Sequence, residues 1–210
     1  MNEPLLRFNR KQKYLIVDTE TEGLNLIKSR PWQVAWITAQ GDQILEKHNM
    51  HIDWPNLDIS PEAARITGFK HAHHNKVAKH PKEVFEKFKT YLYDPSYKIV
   101  GQNLLGFDVY MLNVWMRELG LDSDYSYMDR IIDTLSLARA IEKQDSPDLK
   151  NFIYWQYRWL NYRQRGMKVS QGALLKKYNI PHDSSKLHDA LYDIEMNYKI
   201  FRKQLFDIEI

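Results

Sequence analysis

Residues 13–24 read KYLIVDTETEGL, and this stretch decides how the rest of the chain is read. Residues 14–17 form a short apolar run, aromatic and β-branched, between Lys13 and Asp18. That composition predicts a buried strand. Asp18 and Glu20 follow two residues apart, and Gly23 marks a turn. Side chains alternate along a strand, so both carboxylates point to one face. At ~4 Å and an effective dielectric of ~20, two such charges repel by about 4 kcal/mol. A divalent cation removes that conflict. On these residues alone, a metal site and a polar strand edge both remain open.

Working outward, residues 32–38 again read as a strand, and Gly41-Asp42 signals a turn before a third strand over 43–52. Ser60-Pro61-Glu62 predicts a helix start, with Ser60 as cap, Pro61 in the first helical position and Gly68 as its end. Residues 71–80 read as a polar loop. Pro81 opens a helix with Val84, Phe85, Phe88 and Leu92 on one face. A short strand over 97–100 closes at Gly101, and a helix carrying Val109, Leu112, Val114, Met116 and Leu119 stops at Gly120. A buried piece at Ile131-Ile132, a helix over 135–141, a short helix over 173–178 and a last helix from about 188 to 205 complete the pattern. The expectation is one mixed α/β domain over residues 1–210, with a basic N-terminal arm at 1–12.

Two further segments carry acids. In GQNLLGFDVYML, residues 101–112, Asp108 follows a strand and opens a helix, where a carboxylate also suits the helix dipole. In KLHDALYDIEMNY, residues 186–198, His188 and Asp193 are five apart. They would lie roughly 140° apart on a continuous helix, so they are not a same-face metal pair. The arrangement makes chemical sense if His188 lies at or before the first turn and Asp193 faces the site. Asp189, four before Asp193 on the same helical face, competes for that role.

In this order the segments resemble the DEDD exonuclease superfamily, and specifically its histidine branch, which includes polymerase-proofreading exonucleases. DTETEGL resembles the first motif, ISPEAARITGF the segment after the third strand, and IVGQNLLGFDVYML the second motif. IIDTLSLARA and HDALYD resemble the family's Asp-Thr-Leu segment and third motif. The resemblance implies an RNase H-like α/β fold, a mixed five-stranded sheet flanked by helices. It implies Asp18, Glu20, Asp108 and Asp193 as ligands of two Mg²⁺ or Mn²⁺ ions, with His188 as general base. The tyrosine branch carries Tyr four before the last Asp, where this chain has Asp189. Thr21 and Leu24 are implied as contacts to the terminal nucleotide, Phe107 as a stacking ring and Asn103 as a further substrate contact. Gln102 departs from the pattern, standing where many members have His.

The implied activity is 3′→5′ hydrolysis of single-stranded DNA, releasing nucleoside 5′-monophosphates, in proofreading or repair. No polymerase domain fits in the chain, so a polymerase partner would be a separate chain. An RNA or oligoribonucleotide 3′ exonuclease is the alternative substrate class, since nothing here reads the 2′-hydroxyl. A non-catalytic nucleic-acid-binding domain is the alternative of another kind, and a nucleotide phosphatase a third.

Composition narrows these readings. With 210 residues, 43% hydrophobic and 27% charged, the chain is ordinary for a globular protein. It has no cysteine, which excludes disulfides, thiolate metal sites and thiol nucleophiles. No apolar run is long enough to span a bilayer, and no signal peptide is visible, so a cytoplasmic location is expected. Net charge is only +3, yet residues 150–168 hold five Lys and Arg and no acid. Residues 143–169, rich in aromatics and cations, predict a helix or lid that either contacts single strands by stacking or packs on the core. His71, His73, His74 and His80 lack a zinc-site spacing and read as a solvated loop.

Overall fold

The computed structural model describes residues 5–183 and 189–210. Five strands form one sheet in the order β3-β2-β1-β4-β5. β1 (Lys13–Thr21), β2 (Pro31–Gln40) and β3 (Gln43–His51) make an antiparallel meander. β4 (Tyr97–Gly101) and β5 (Ile131–Asp133) extend it in parallel on the other side of β1. β1 is therefore the central strand, where the pairing changes from antiparallel to parallel.

Alternation along β1 feeds two cores. Leu15 and Val17 face α3 (Pro81–Leu92) and α4 (Asp108–Glu118), against Val84, Phe88, Val109 and Trp115. Tyr14 and Ile16 face α8 (Ala190–Asp207), against Ile194, Phe201 and Leu205. Both faces are covered, so the apolar run of β1 is continuous rather than alternating.

The expected α1 forms over Pro61–Thr67. Ser60 caps it by accepting from the Ala63 amide, and Gly68 ends it at φ +68°, a conformation other residues adopt at a cost. The expected loop at 71–80 is corrected. Residues His71–Val77 form a helix, α2, whose His74 is buried between Trp32 and Phe69 with ring centroids at 6.0 and 5.2 Å. A histidine does the work of an apolar residue there, so hydrophobic periodicity missed the helix.

The aromatic segment contains α6 (Phe152–Asn161), which packs on α5 (Thr134–Lys143). Trp155 and Trp159 are buried, and both indole N–H groups donate to Asp145 Oδ2, at 2.9 and 2.8 Å. Of the two readings open for this segment, these two rings take the core one. Tyr154, 75% exposed, faces solvent. α7 (Gln171–Lys177) then leads towards α8. Residues 5–12 lead into β1 and are tied to the C-terminal segment: the Leu6 amide donates to the Ile210 carbonyl, and Arg7 pairs with Glu209 at 2.8 Å. No helix among the described residues is long and apolar enough to cross a membrane.

Candidate active site

The C-terminal end of β1 is the point at which the sheet changes sense, where ligands of open α/β sheets gather. Asp18 and Glu20 sit there, half-buried, on the face turned to α8. β4 pairs with β1 only as far as Ile16 with Val100. Beyond that pair, the Thr19 backbone N–H donates instead to Asp108 Oδ1 at 3.0 Å, and the Thr19 hydroxyl donates to the same atom at 2.7 Å. Asp108, the first residue of α4, is thereby fixed against β1 while 3% exposed.

Asp193 lies in the first turn of α8, and its Oδ1 accepts from Gln171 Nε2 at 2.9 Å. Asp18 and Asp193 line one cavity of about 350 Å³, together with Gln102, Gln171 and Asn197. Asp189 is the N-cap of α8 and accepts from the Tyr192 amide at 2.9 Å. Its carboxylate is engaged in helix capping. His188 lies outside the described residues.

The four acids feel one another. Burial first, then Asp108, Glu20 and Asp193, hold the Asp18 carboxyl well above the usual carboxylate range. Glu20 is pushed up to about 8 by burial and then by Asp193 and Asp108. Asp108 is pushed up to about 7, chiefly by burial, against the opposing effect of the Thr19 hydrogen bonds. Such a cluster gains from a divalent cation, and an oxygen-only donor set suits Mg²⁺ or Mn²⁺. Among the described residues no three acids or histidines stand close enough to enclose an ion as they are. Two of the carboxylates are turned to protein donors, Asp108 to Thr19 and Asp193 to Gln171. The donor chemistry fits the ions, and binding them would draw the four carboxylates together.

On the other side of Glu20, Thr21, Leu24 and Phe107 line a second cavity of about 430 Å³. Its far wall is α1, through Ala63, Ile66 and Thr67, which lie in the family-like ISPEAARITGF segment but were given no role from the sequence. α1 buries none of its own residues, so no hydrophobic stripe marked this face. Leu24 is 85% exposed at the rim. Its loop is braced by Arg30, which donates to Glu22 at 2.5 Å and to the carbonyls of Pro55 and Asn56.

Asn103 does not line this cavity. It takes φ +61°, and its Oδ1 fills the space where a Cβ on Gly106 would be. It shapes the turn that presents Phe107 and Asp108. A residue that the sequence marks only as part of its Asp-Thr-Leu segment secures that turn. Asp133, 0% exposed at the end of β5, accepts from the amides of Asn103 and Leu105, and caps α5 through Leu135 and Ser136.

The sequence profile of a family described as "Exonuclease" matches residues 15–201, nearly the whole chain. The chain belongs to this exonuclease family. Among curated proteins it is similar to "DNA polymerase III PolC-type" of Bacillus cereus, 26% identical over 204 residues, covering 96% of this chain and 12% of that protein. The PolC-type polymerase of Pediococcus pentosaceus is 29% identical over 183 residues, covering 87% and 11%. The chain thus spans about an eighth of the length of these relatives. Among solved structures, E. coli Exonuclease I in complex with a dT13 oligonucleotide superposes with a TM-score of 0.73 at 19% identity, covering 94% of this chain and 43% of that one. Its complex with a dA16 oligonucleotide gives 0.71 at 19%, covering 94% and 42%. The RNase H-like sheet expected from the sequence is therefore present.

Within this exonuclease domain Gln102 is structural. Its Oε1 accepts from the Thr134 hydroxyl at 2.7 Å, and Asn197 Nδ2 donates to that hydroxyl at 2.9 Å. Gln102 Nε2 donates to the Val169 carbonyl at 3.3 Å. The group ties β4, α5, α8 and the start of α7 together behind Asp193.

Proposed function

We propose that this domain removes nucleotides one at a time from the 3′ end of single-stranded DNA, releasing nucleoside 5′-monophosphates. The observation that carries the reading is the meeting of four carboxylates, from β1, α4 and α8, beside a nucleotide-sized cavity. Asp18, Glu20, Asp108 and Asp193 would hold two Mg²⁺ or Mn²⁺ ions. Bound there, such ions supply an activated water and offset the charge developing on the phosphate and the leaving 3′ oxygen.

The chain's own residues do the rest. Phe107 and Leu24 take the terminal base between them, a contact that any base satisfies. Thr21 and the facing α1 fix the sugar end of the same nucleotide. Thr19 and Gln171 hold Asp108 and Asp193 in place before a substrate arrives. His188 accepts the proton of the attacking water, as a neutral imidazole near pH 7–8 can. The PolC-type relatives, DNA polymerases by name, support a proofreading role beside a polymerase only as a part of this reading. The Exonuclease I complexes with dT13 and dA16 support DNA as substrate.

The test uses 5′-labelled DNA and RNA oligomers of matched sequence, with Mg²⁺ or chelator. A ladder shortening from the 3′ end, faster on DNA and absent in Asp18→Ala and His188→Ala, is expected. Faster RNA shortening would transfer the substrate assignment, and no shortening of either oligomer would overturn the exonuclease reading.

A further inference from the structure

A wide groove of about 1080 Å³ runs along the outer side of α7 and the segment before it. Lys143, Arg165, Lys168, Lys176 and Lys177 line it, against a single carboxylate, Glu142, which is itself paired with Lys177 at 2.6 Å. This imbalance stands out in a chain whose net charge is only +3. Arg165, Lys168 and Lys176 are exposed, and among the described residues none of them has a carboxylate partner. The groove adjoins the catalytic end of the molecule: Ser170 and Gly172 line both it and the cavity that holds Asp18 and Asp193.

We propose that this groove carries the backbone phosphates of the substrate strand upstream of the scissile bond. The inference rests on the exonuclease reading of the carboxylate site. There the terminal nucleotide occupies the cavity on the Glu20 side, walled by Thr21, Leu24 and Phe107. The cavity opposite, on the Asp18 and Asp193 side, is then the way in for the rest of the strand, and it opens onto the cations. Cations without fixed partners are suited to a flexible polyanion, since binding displaces counterions and breaks no ion pair. The groove has few aromatic rings, so it follows the backbone and leaves bases unread. It makes the enzyme favour long single strands over short ones.

The test compares wild type with Arg165→Glu/Lys168→Glu/Lys176→Glu. A control of equal charge change, Lys82→Glu/Lys87→Glu/Lys203→Glu, reverses cations that line neither the groove nor the catalytic cavity. Substrates are a dinucleotide and DNA oligomers of increasing length up to a 12-mer. Fluorescence anisotropy in chelator measures 12-mer binding independently of turnover.

The groove variant is expected to bind the 12-mer about tenfold or more weakly at moderate salt, with a salt dependence shallower by about two in log–log slope. Its KM defect grows with length and vanishes on the dinucleotide, while the control stays close to wild type. Equal binding and shortening of the 12-mer by groove variant and wild type would overturn the proposal. So would a defect of the same size on the dinucleotide, which would place the damage at the carboxylates. If wild type hydrolyses neither substrate, the exonuclease reading falls, and unchanged 12-mer binding by the variant would still reject the groove as a phosphate track.

Discussion

Thr19 gives Asp108 two hydrogen bonds from one residue, a backbone N–H at 3.0 Å and a hydroxyl at 2.7 Å on the same Oδ1. Thr19 lies between Asp18 and Glu20 yet points to the opposite face of β1, so one short segment supplies two carboxylates and orients a third. Partners that orient metal-binding carboxylates are worth about 10–100-fold in metal affinity or activity when removed. Thr19→Val keeps the β-branched shape and deletes only the hydroxyl bond. Its kcat is expected to fall within that range and its Mg²⁺ requirement to rise, with Thr19→Ser restoring both. A metal titration of the initial rate on a single-stranded oligomer reads this. Equal loss in the Ser and Val variants would show that packing at this position matters and the hydroxyl does not.

Buried like charges without a counter-ion are a cost carried by the metal-free protein. Asp18→Asn removes one buried ionisable group from the cluster while keeping shape, so it is expected to abolish activity yet raise the melting temperature in chelator. Relief of about 1 kcal/mol corresponds to about 2–4 °C in a domain of this size. Added Mg²⁺ should stabilise wild type more than the variant, because only wild type keeps the full ligand set. Differential scanning fluorimetry with chelator and with Mg²⁺ measures both. A lower melting temperature of Asp18→Asn in chelator would mean that the carboxylates are not in conflict.

How far the sequence was readable follows from what each element needed. β1 was legible from its apolar run, while the acids at its end took their meaning from the resemblance, because the residues alone left a metal site and a polar strand edge both open. α3 and α4 were legible from their apolar periodicity. α2 was not, because His74 fills an apolar position between Trp32 and Phe69. The aromatic segment left two readings open, and only the geometry of Trp155 and Trp159 on Asp145 decided between them. The cavity wall on α1 left no periodic signal, since that helix buries nothing of its own. The basic groove assembles cations from three separate stretches, a proximity that spacing along the chain does not encode.

Asp133 was visible only as part of a family-like Asp-Thr-Leu segment, and its work is seen in four backbone amides from two different elements. Both of its oxygens are used, Oδ1 by Asn103, Leu135 and Ser136 and Oδ2 by Leu105. An amide in its place would turn a donor onto at least one of those N–H groups, in a site with no solvent. Asp133→Asn is therefore expected to lose about 2–3 kcal/mol of stability, the cost of one broken charge-assisted bond and an unsatisfied buried group. The turn bearing Phe107 and Asp108 should loosen with it, lowering kcat as well as stability. Urea denaturation and oligomer turnover test the two parts. An unchanged denaturation midpoint would show that the four bonds are dispensable.

His51 and His74 face each other through Nδ1 atoms 3.2 Å apart, beside His73 and under Trp32. One ring must donate and the other accept, so at least one is neutral in the folded state. Burial, then His74 and His73, lower the His51 pKa to about 4, and burial chiefly lowers that of His74, with Asp53 opposing. Between about 6.5 and about 4 the unfolded chain binds a proton that folded His51 refuses, so this contribution is fully present above pH 6.5 and is lost as pH falls towards 4. Acid destabilisation is expected in that window, and His51→Gln should flatten it while costing some stability at pH 7.5. Melting temperatures at half-unit steps from pH 7.5 to 4 measure the slope. The same slope in wild type and His51→Gln would assign the acid sensitivity to other groups.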